Sequence, residues 1–303
     1  MAKNAWRHGP PPLPVRDGVS PSYLWLQAGD WPDMLSFMVE RYPAVSEEHW
    51  RERMERGDVV DHDGQPLRPG SPYVRGTRIF YYRELVEAET PIPFEEEILF
   101  QDEHLVVVDK PHFLAMIPTG RFVHETLLVR LKKKLGIADL VPIHRLDRET
   151  AGVVVFSATT ASRGIYQSMF QKRAMQKEYE ALAPRLHGVD FPFTYRSRMV
   201  DGDKFFIMKE EEGEPNSETL IDVIEHREDA TLYRLFPHTG RKHQLRLHLS
   251  SLGVPILNDA FYPVAQPVGE DDLSKPLKLL ARAIEFTDPL TGEPRRFVSR
   301  RSL

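Results

Sequence analysis

Residues 144–157 read His-Arg-Leu-Asp-Arg-Glu-Thr-Ala-Gly-Val-Val-Val-Phe-Ser. Four charged side chains, Arg145, Asp147, Arg148 and Glu149, stand directly before an apolar run, Val153 to Phe156. Such a run is typical of a strand buried on both faces, and Thr150-Ala151-Gly152 is the small-residue joint leading into it. A carboxylate at the mouth of a rigid strand is fixed in direction, and flanking guanidinium groups favour its ionised form. On residue types alone, the commoner account of an Asp between arginines is a surface ion pair.

The stretch resembles the signature of the RluA family of pseudouridine synthases, in which HRLD is followed by a small-residue turn and an apolar strand. Three further stretches carry the resemblance. Arg173-Ala-Met-Gln-Lys-Glu-Tyr-Glu-Ala181, about thirty residues on, is similar to the family's K-x-Y strand. His238-Thr-Gly-Arg-Lys-His-Gln-Leu-Arg-Leu-His248 is similar to its TGRxHQLRxH motif, and Gly253-Val-Pro-Ile-Leu-Asn-Asp259 continues the match. The stretch from Lys278 to Glu293 is similar to the closing motif LxLHAxxLxFxHP, with Leu280 in place of the usual His and Asp288 in place of the His before Pro. The resemblance runs from about residue 100 to the end of the sequence.

The resemblance implies an α+β pseudouridine synthase fold, a mixed and mostly antiparallel sheet flanked by helices. It implies isomerisation of specific uridines to pseudouridine in ribosomal or transfer RNA, with no cofactor and no metal, by a monomer. Carried over residue by residue, Asp147 is the nucleophile, Arg246 the arginine that pairs with it, and Tyr179 the ring that stacks on the flipped uracil. Arg145 fills the gap left by that base or steadies the flanking phosphates. Leu279 lines the uracil pocket, and His144, Arg241 and His243 are the remaining substrate-binding residues. Read from the residues, Thr239 is placed as a helix N-cap with Arg241, Lys242 and His243 in the first turn, where free amides favour anions. Leu245, Leu249 and Leu252 give that helix its inward stripe.

Outside the motifs, residues 1–28 are rich in Pro and Gly and read as an extended arm. Residues 29–85 read as a small α/β unit: Met34, Phe37, Met38 and Tyr42 recur at helical spacing, Ser46 caps a second helix carrying Trp50 and Met54, and a turn at Asp61-His-Asp-Gly64 leads to a strand ending near Tyr82. This order resembles the αL-type RNA-binding module found in a ribosomal protein. Its charge runs the other way, with eight Arg and no Lys against eleven Asp and Glu, whereas a phosphate-gripping module should be basic. Residues 86–100 read as a linker and 101–303 as the catalytic domain. There the spacing predicts a strand over 104–109, helices over 122–135 and 159–172 (the latter with Ile165, Met169 and Phe170 inward), strands over 177–183, 217–225 and 230–236, and closing strands over 278–286 and 295–298.

The 303 residues carry 40 Lys and Arg against 45 Asp and Glu, a formal charge of −5. That is unusual for a nucleic-acid binder, but binding depends on how charge is distributed over one face. Basic clusters at Lys132–Lys134, Lys172-Arg173, Arg196, Arg198, Arg241-Lys242, Arg295-Arg296 and Arg300-Arg301 concentrate after residue 120. No cysteine is present, which excludes disulfides and thiolate metal sites and fits a cytoplasmic protein. No apolar run approaches a membrane span. Three other readings are weaker. A catalytically inactive RNA-binding protein on the same fold should have lost a motif residue, yet Asp147, Tyr179 and Arg246 are all present. A glycosidase needs two acids at a set separation with one kept protonated, and Asp147 and Glu149 sit among arginines. His238, His243 and His248 do not share a helical face cleanly at five-residue spacing, which argues against zinc.

Overall fold

A computed structural model describes residues 11–83, 88–204, 206–267, 269 and 271–303. The first ten residues of the expected arm, and residues 86–87 of the expected linker, lie outside the described residues. The chain divides into two compact units, one grouping residues 1–91 with 117–138 and the other 92–116 with 139–303.

In the first unit, β1 (Ser22–Trp25), α1 (Met34–Arg41), α2 (Glu47–Arg56), β2 (Val59–Val60) and β3 (Arg78–Tyr81) follow in order, with the strands paired β1-β3-β2. Residues 22–25, expected in the arm, are therefore a sheet strand, and the adjoining Leu26 is buried. Both helices start where a side-chain oxygen takes a free amide: Asp33 accepts from Ser36 N–H, and Ser46 from His49 N–H. Gly57 closes α2 at φ 82°, a left-handed cap suited to glycine. Met38, Trp50, Met54, Val59 and Ile79 form the core between helices and sheet. The third helix, α3 (Leu127–Leu135), also belongs to this unit. It begins five residues later than its apolar spacing suggests, because Glu89 takes the amides of Val123, His124 and Glu125 in an irregular turn and Thr126 then serves as N-cap.

The second unit is built on one sheet. Its strands are β4 (Glu97–Gln101), β5 (Leu105–Lys110), β6 (Val141–Pro142), β7 (Ala151–Ser157), β8 (Gln176–Ala183), β9 (Phe193–Asp201), β10 (Met208–Glu211), β11 (Ser217–His226), β12 (Thr231–Pro237), β13 (Leu279–Thr287) and β14 (Pro294–Val298). The order is β10-β9-β11-β12-β8-β13-β7-β5-β4, with β14 joined to β13 and β6 to β7. Only the β13–β7 pairing is parallel among the described strands, so the sheet is mixed and mostly antiparallel, in an α+β fold. Helix α4 (Thr160–Gln171) follows β7, and α5 (Gln244–Ser251) follows β12.

Two cores lie on this sheet. Leu105, Val107, Val153, Val155, Tyr166 and Met169 form one; Ala181, Ile221, Tyr233, Leu235, Leu245, Leu249 and Leu279 form the other. Ile165, expected inward on α4, is 45% exposed, and Tyr166 is buried instead. The Tyr166 hydroxyl donates to buried Asp288, so this inward position satisfies a polar group as well as a ring. Asp288, one of the two departures from the closing motif, also accepts from Leu290 N–H and pairs with Arg295, organising the turn between β13 and β14.

The parallel contact explains the glycine of the HRLDRETAG stretch. Gly152 pairs with Ala281 at φ 116°, and a Cβ placed there would lie 2.2 Å from the Ala281 carbonyl oxygen. Steric overlap with backbone, together with a left-handed φ, has no cheap relief. Gly152→Ala should cost at least about 3 kcal/mol or prevent folding, whereas Gly164→Ala, on an exposed turn of α4 with open space around it, should add about 0.5–1 kcal/mol. Urea denaturation of the two variants beside the parent checks both signs.

Candidate active site

The order β8-β13-β7 sets three strand ends side by side, and the site grows from them. Asp147 lies in the loop entering β7, Tyr179 on β8 and Leu279 on β13, while α5 delivers Arg246. Together with His144, Arg145, Lys177, Arg241 and His243 they line one cavity of about 480 Å³, within the usual small-molecule range of about 300–1,000 Å³.

Backbone capture of the 147–150 loop comes first. The Asp147 carbonyl accepts from Thr150 N–H at 3.2 Å. The Arg148 carbonyl accepts from Lys110 Nζ at 3.0 Å, and the Glu149 carbonyl from His112 Nδ1 at 2.6 Å. Lys110 is fully buried at the end of β5 and also donates to the carbonyls of Pro111 and Leu114. Burial draws its ammonium down to about 7, against the pull of Glu149 and Asp147. His144 is tied similarly: Nε2 accepts from Val155 N–H at 3.1 Å, and its ring stacks on Phe170 at 5.0 Å. Burial, with Lys177 nearby, lowers its pKa to about 3. His144 is thus neutral; it lines the cavity while its Nε2 anchors the loop to β7.

Arg246 is the electrostatic centre. Its side chain is 1% exposed. Nε and one terminal nitrogen grip Asp259 at 2.8 and 2.6 Å, a bidentate pair. The other terminal nitrogen reaches Asp147 at 3.3 Å and Glu149 at 3.4 Å. The guanidinium also lies 4.6 Å from the Phe261 ring centre. Burial opposes its charge, but Asp259, then Asp147 and Glu149, outweigh that and hold its pKa above the usual value. Asp259 accepts the Phe261 and Tyr262 amides as well, so the arginine is aimed by a carboxylate that is itself fixed. Glu149 is joined to Arg148, which grips Asp271 through two bonds of 2.6 and 2.7 Å.

His243 and Tyr179 are the neutral groups of the wall facing Asp147. His243 Nδ1 lies 3.1 Å from the Tyr262 hydroxyl. That hydroxyl also accepts from Met208 N–H, and the other ring nitrogen, Nε2, lies 3.9 Å from Asp147. Burial lowers the His243 pKa even with Asp147 beside it. Burial, and then the Asp147 charge, raise that of Tyr179, keeping its phenol protonated. Asp147 itself keeps a side chain 27% exposed to the cavity.

The structure corrects the start of α5. The helix begins at Gln244, and His243 stands at the cap position with φ 56° and without a side-chain cap, so Arg241, Lys242 and His243 precede the first turn. The reason is Gln244: its side chain accepts from Thr239 Oγ1 and from Arg241 N–H and donates to the Glu218 carbonyl. This locks 239–244 as a loop against β11. Lys110, His112 and Gln244 are the site-building residues that sequence reasoning did not single out. A lysine directly before a proline, at the end of a strand that opens with four apolar residues, is the one visible signal.

Ion pairing sorts the basic clusters. Arg196, Arg198, Arg295, Arg296, Arg300 and Arg301 each have a carboxylate partner. Arg145, Arg173, Lys177 and Arg241 have none among the described residues, and all four line the catalytic cavity or the one adjoining it. Unneutralised positive charge therefore gathers at the site of a chain whose net charge is negative.

The comparisons with known proteins agree with this geometry. The family model for RNA pseudouridylate synthase matches residues 104–251. An RNA pseudouridine synthase of Synechocystis is 30% identical over 236 residues, covering 76% of this chain and 79% of that protein. The dual-specificity RNA pseudouridine synthase RluA of Haemophilus influenzae is 32% identical, covering 70% and 96%. The chain belongs to the RluA family of RNA pseudouridine synthases. Among solved structures, human RNA pseudouridylate synthase domain containing 1 shares the fold, with a TM-score of 0.58 at 23% identity over 71% of this chain and 86% of that one. No described helix is long and apolar enough to cross a membrane.

Buried neutral histidines give this synthase a pH limit. Burial holds His112 and His248 near 4 and His144 near 3; His248 spends Nδ1 on Thr219 and faces the Ser217 and Ser197 hydroxyls with Nε2. Unfolded, each titrates near 6.5. Between about 6.5 and 4 the unfolded chain therefore binds more protons than the native one, and stability falls as pH falls, by up to about 1.4 kcal/mol per unit per histidine. Urea midpoints from pH 7.5 to 4.5 should drop steadily below pH 6.5. His248→Gln should flatten the slope by close to one proton.

Proposed function

We propose that this chain converts uridine to pseudouridine at specific positions of ribosomal or transfer RNA, acting as a cytoplasmic monomer without cofactor, with Asp147 as nucleophile. The observation that carries the assignment is Arg246. A guanidinium clamped by Asp259 offers its free edge to a carboxylate that is still open to the cavity.

The reaction exchanges one bond for another within the substrate. The N1–C1′ bond breaks, the uracil turns, C5 bonds to C1′, and the proton on C5 is lost while N1 gains one. Nothing is oxidised and no external group is transferred. The base must leave the stack to be reached, and Arg145, exposed at the cavity rim without a carboxylate partner among the described residues, fills its place or holds the flanking phosphates. Tyr179 and Leu279 enclose the uracil between a phenol and an aliphatic wall. Arg246 pairs with Asp147 and directs it as bonds at C1′ change. His243 presents Nε2 toward Asp147, and Arg241, whose Nε donates to the Asn216 carbonyl, holds RNA at the cavity wall. His144 serves binding through the loop it anchors.

Because C5 loses its hydrogen, RNA carrying tritium at C5 of uridine reports the reaction as tritiated water. Purified enzyme with labelled total RNA from a strain lacking this chain should release tritium to a plateau. Asp147→Asn should be slower by at least about 10³-fold, as expected for loss of a nucleophile, and Arg246→Ala should fall severely as well. Release by Asp147→Asn at the wild-type rate would remove Asp147 from the role.

A further inference from the structure

A second cavity of about 780 Å³ adjoins the catalytic one, sharing Phe170, Lys177 and the Pro237-Thr239-Gly240 rim. Its floor is apolar: Leu220 on β11 and Phe236 on β12 are cross-strand partners, both half-buried, beside buried Met175. Phe236 meets no other ring among the described residues. A large aromatic surface left half-open at a concave site is a place for another flat ring to stack.

Two cations stand where the cavities meet. Lys177 lies with Nζ 5.4 Å from the centre of the Phe170 ring, facing Gly240 across the rim. Arg173 is exposed in the connection from α4 to β8, held at φ 58°. Neither has a carboxylate partner among the described residues; Glu218, the acid lining the same cavity, is engaged by Arg196 at 2.7 Å. Burial and the neighbouring Arg173 charge both lower the Lys177 pKa. Glu218 also feels the Arg173 charge but makes its ion pair with Arg196, and like charges held together are relieved by an anion arriving from outside.

We propose that this second cavity binds the nucleotide adjoining the target uridine in the RNA strand, its base stacked on Phe236 and the linking phosphate held by Lys177 and Arg173. The pairing of one aromatic floor with one cationic step, continuous with the uracil pocket, matches the alternation of base and phosphate in a single strand. Two adjacent bases are thus drawn from their stack, and recognition extends beyond the modified residue. The proposal rests on the pseudouridine synthase reading.

The test uses the full-length enzyme and a stem-loop transcript containing a uridine it modifies, in three forms: intact, abasic immediately 5′ to that uridine, and abasic immediately 3′. Phe236→Ala should raise KM on intact RNA about tenfold. One abasic RNA, and only one, should raise the wild-type KM similarly, and Phe236→Ala should add no further loss on that RNA. Arg173→Ala, at an exposed position, should lower affinity and reduce the slope of log K against log salt by about 0.7, one single-strand phosphate. Full loss from Phe236→Ala on both abasic RNAs, or an unchanged salt slope for Arg173→Ala, would overturn the proposal. If the wild-type enzyme formed no pseudouridine on intact RNA, the parent reading would fail instead; activity with unchanged KM in the variants sinks this proposal alone.

Discussion

The site depends on one buried positive charge. Arg246 is almost wholly removed from water, and a guanidinium in that position is tolerable only with partners that satisfy its donors. Asp259 meets the larger part of that need through two short bonds and is fixed in turn by two backbone amides. What remains of the guanidinium is one edge, and it faces Asp147 and Glu149. The division of labour follows from the distances. The tight, fully buried pair is structural, while the looser, half-open pair leaves Asp147 oxygen free to meet a substrate. A carboxylate held as tightly as Asp259 would be a poor nucleophile because its lone pairs are spent.

The loop that carries Asp147 is rigid for a related reason. Its successive carbonyls are taken by Thr150 N–H, Lys110 Nζ and His112 Nδ1, and Gly152 lets β7 and β13 approach where any Cβ would collide. The charged network above the loop and the buried lysine below it constrain the same few residues from opposite sides. Positioning of this kind fixes the direction of a single carboxylate before any substrate arrives.

Much of this was legible in the sequence, unevenly. The apolar run Val153–Phe156, the helix capped at Ser46, the helix over 159–172, and the strands around Tyr179, Ile221 and Leu235 follow from periodicity and capping. The convergence of Asp147, Tyr179, Arg246 and Leu279 did not follow from local pattern; it came from resemblance, because strand order is a long-range property. Strands β9 and β10 were not read, since Phe193–Asp201 alternates polar and apolar residues only loosely and its inward positions include Ser197, which meets His248 rather than an aliphatic core. The first residues of α5 were misplaced because Gln244, an ordinary helix former by propensity, spends its side chain on the preceding loop. Lys110, directly after the strand expected over 104–109, supports the loop of Asp147 through three carbonyl acceptors, and nothing local in the sequence distinguishes it from an ordinary strand end. The acidic balance of residues 29–85 was read correctly as composition, and the positive charge sits in the second unit, at the cavity rims, where ion-pair bookkeeping exposes it and net charge hides it.

The most direct measurement is a map of pseudouridine in ribosomal and transfer RNA, by carbodiimide adduct and primer extension, in three strains of the source organism: wild type, a deletion of this gene, and the deletion carrying Asp147→Ala. The account predicts at least one position that disappears in the deletion and stays absent with Asp147→Ala while wild-type rescue restores it. Restoration of that position by Asp147→Ala would contradict the account at its centre, because the carboxylate around which Arg246, Asp259 and the bound loop are arranged would then be dispensable.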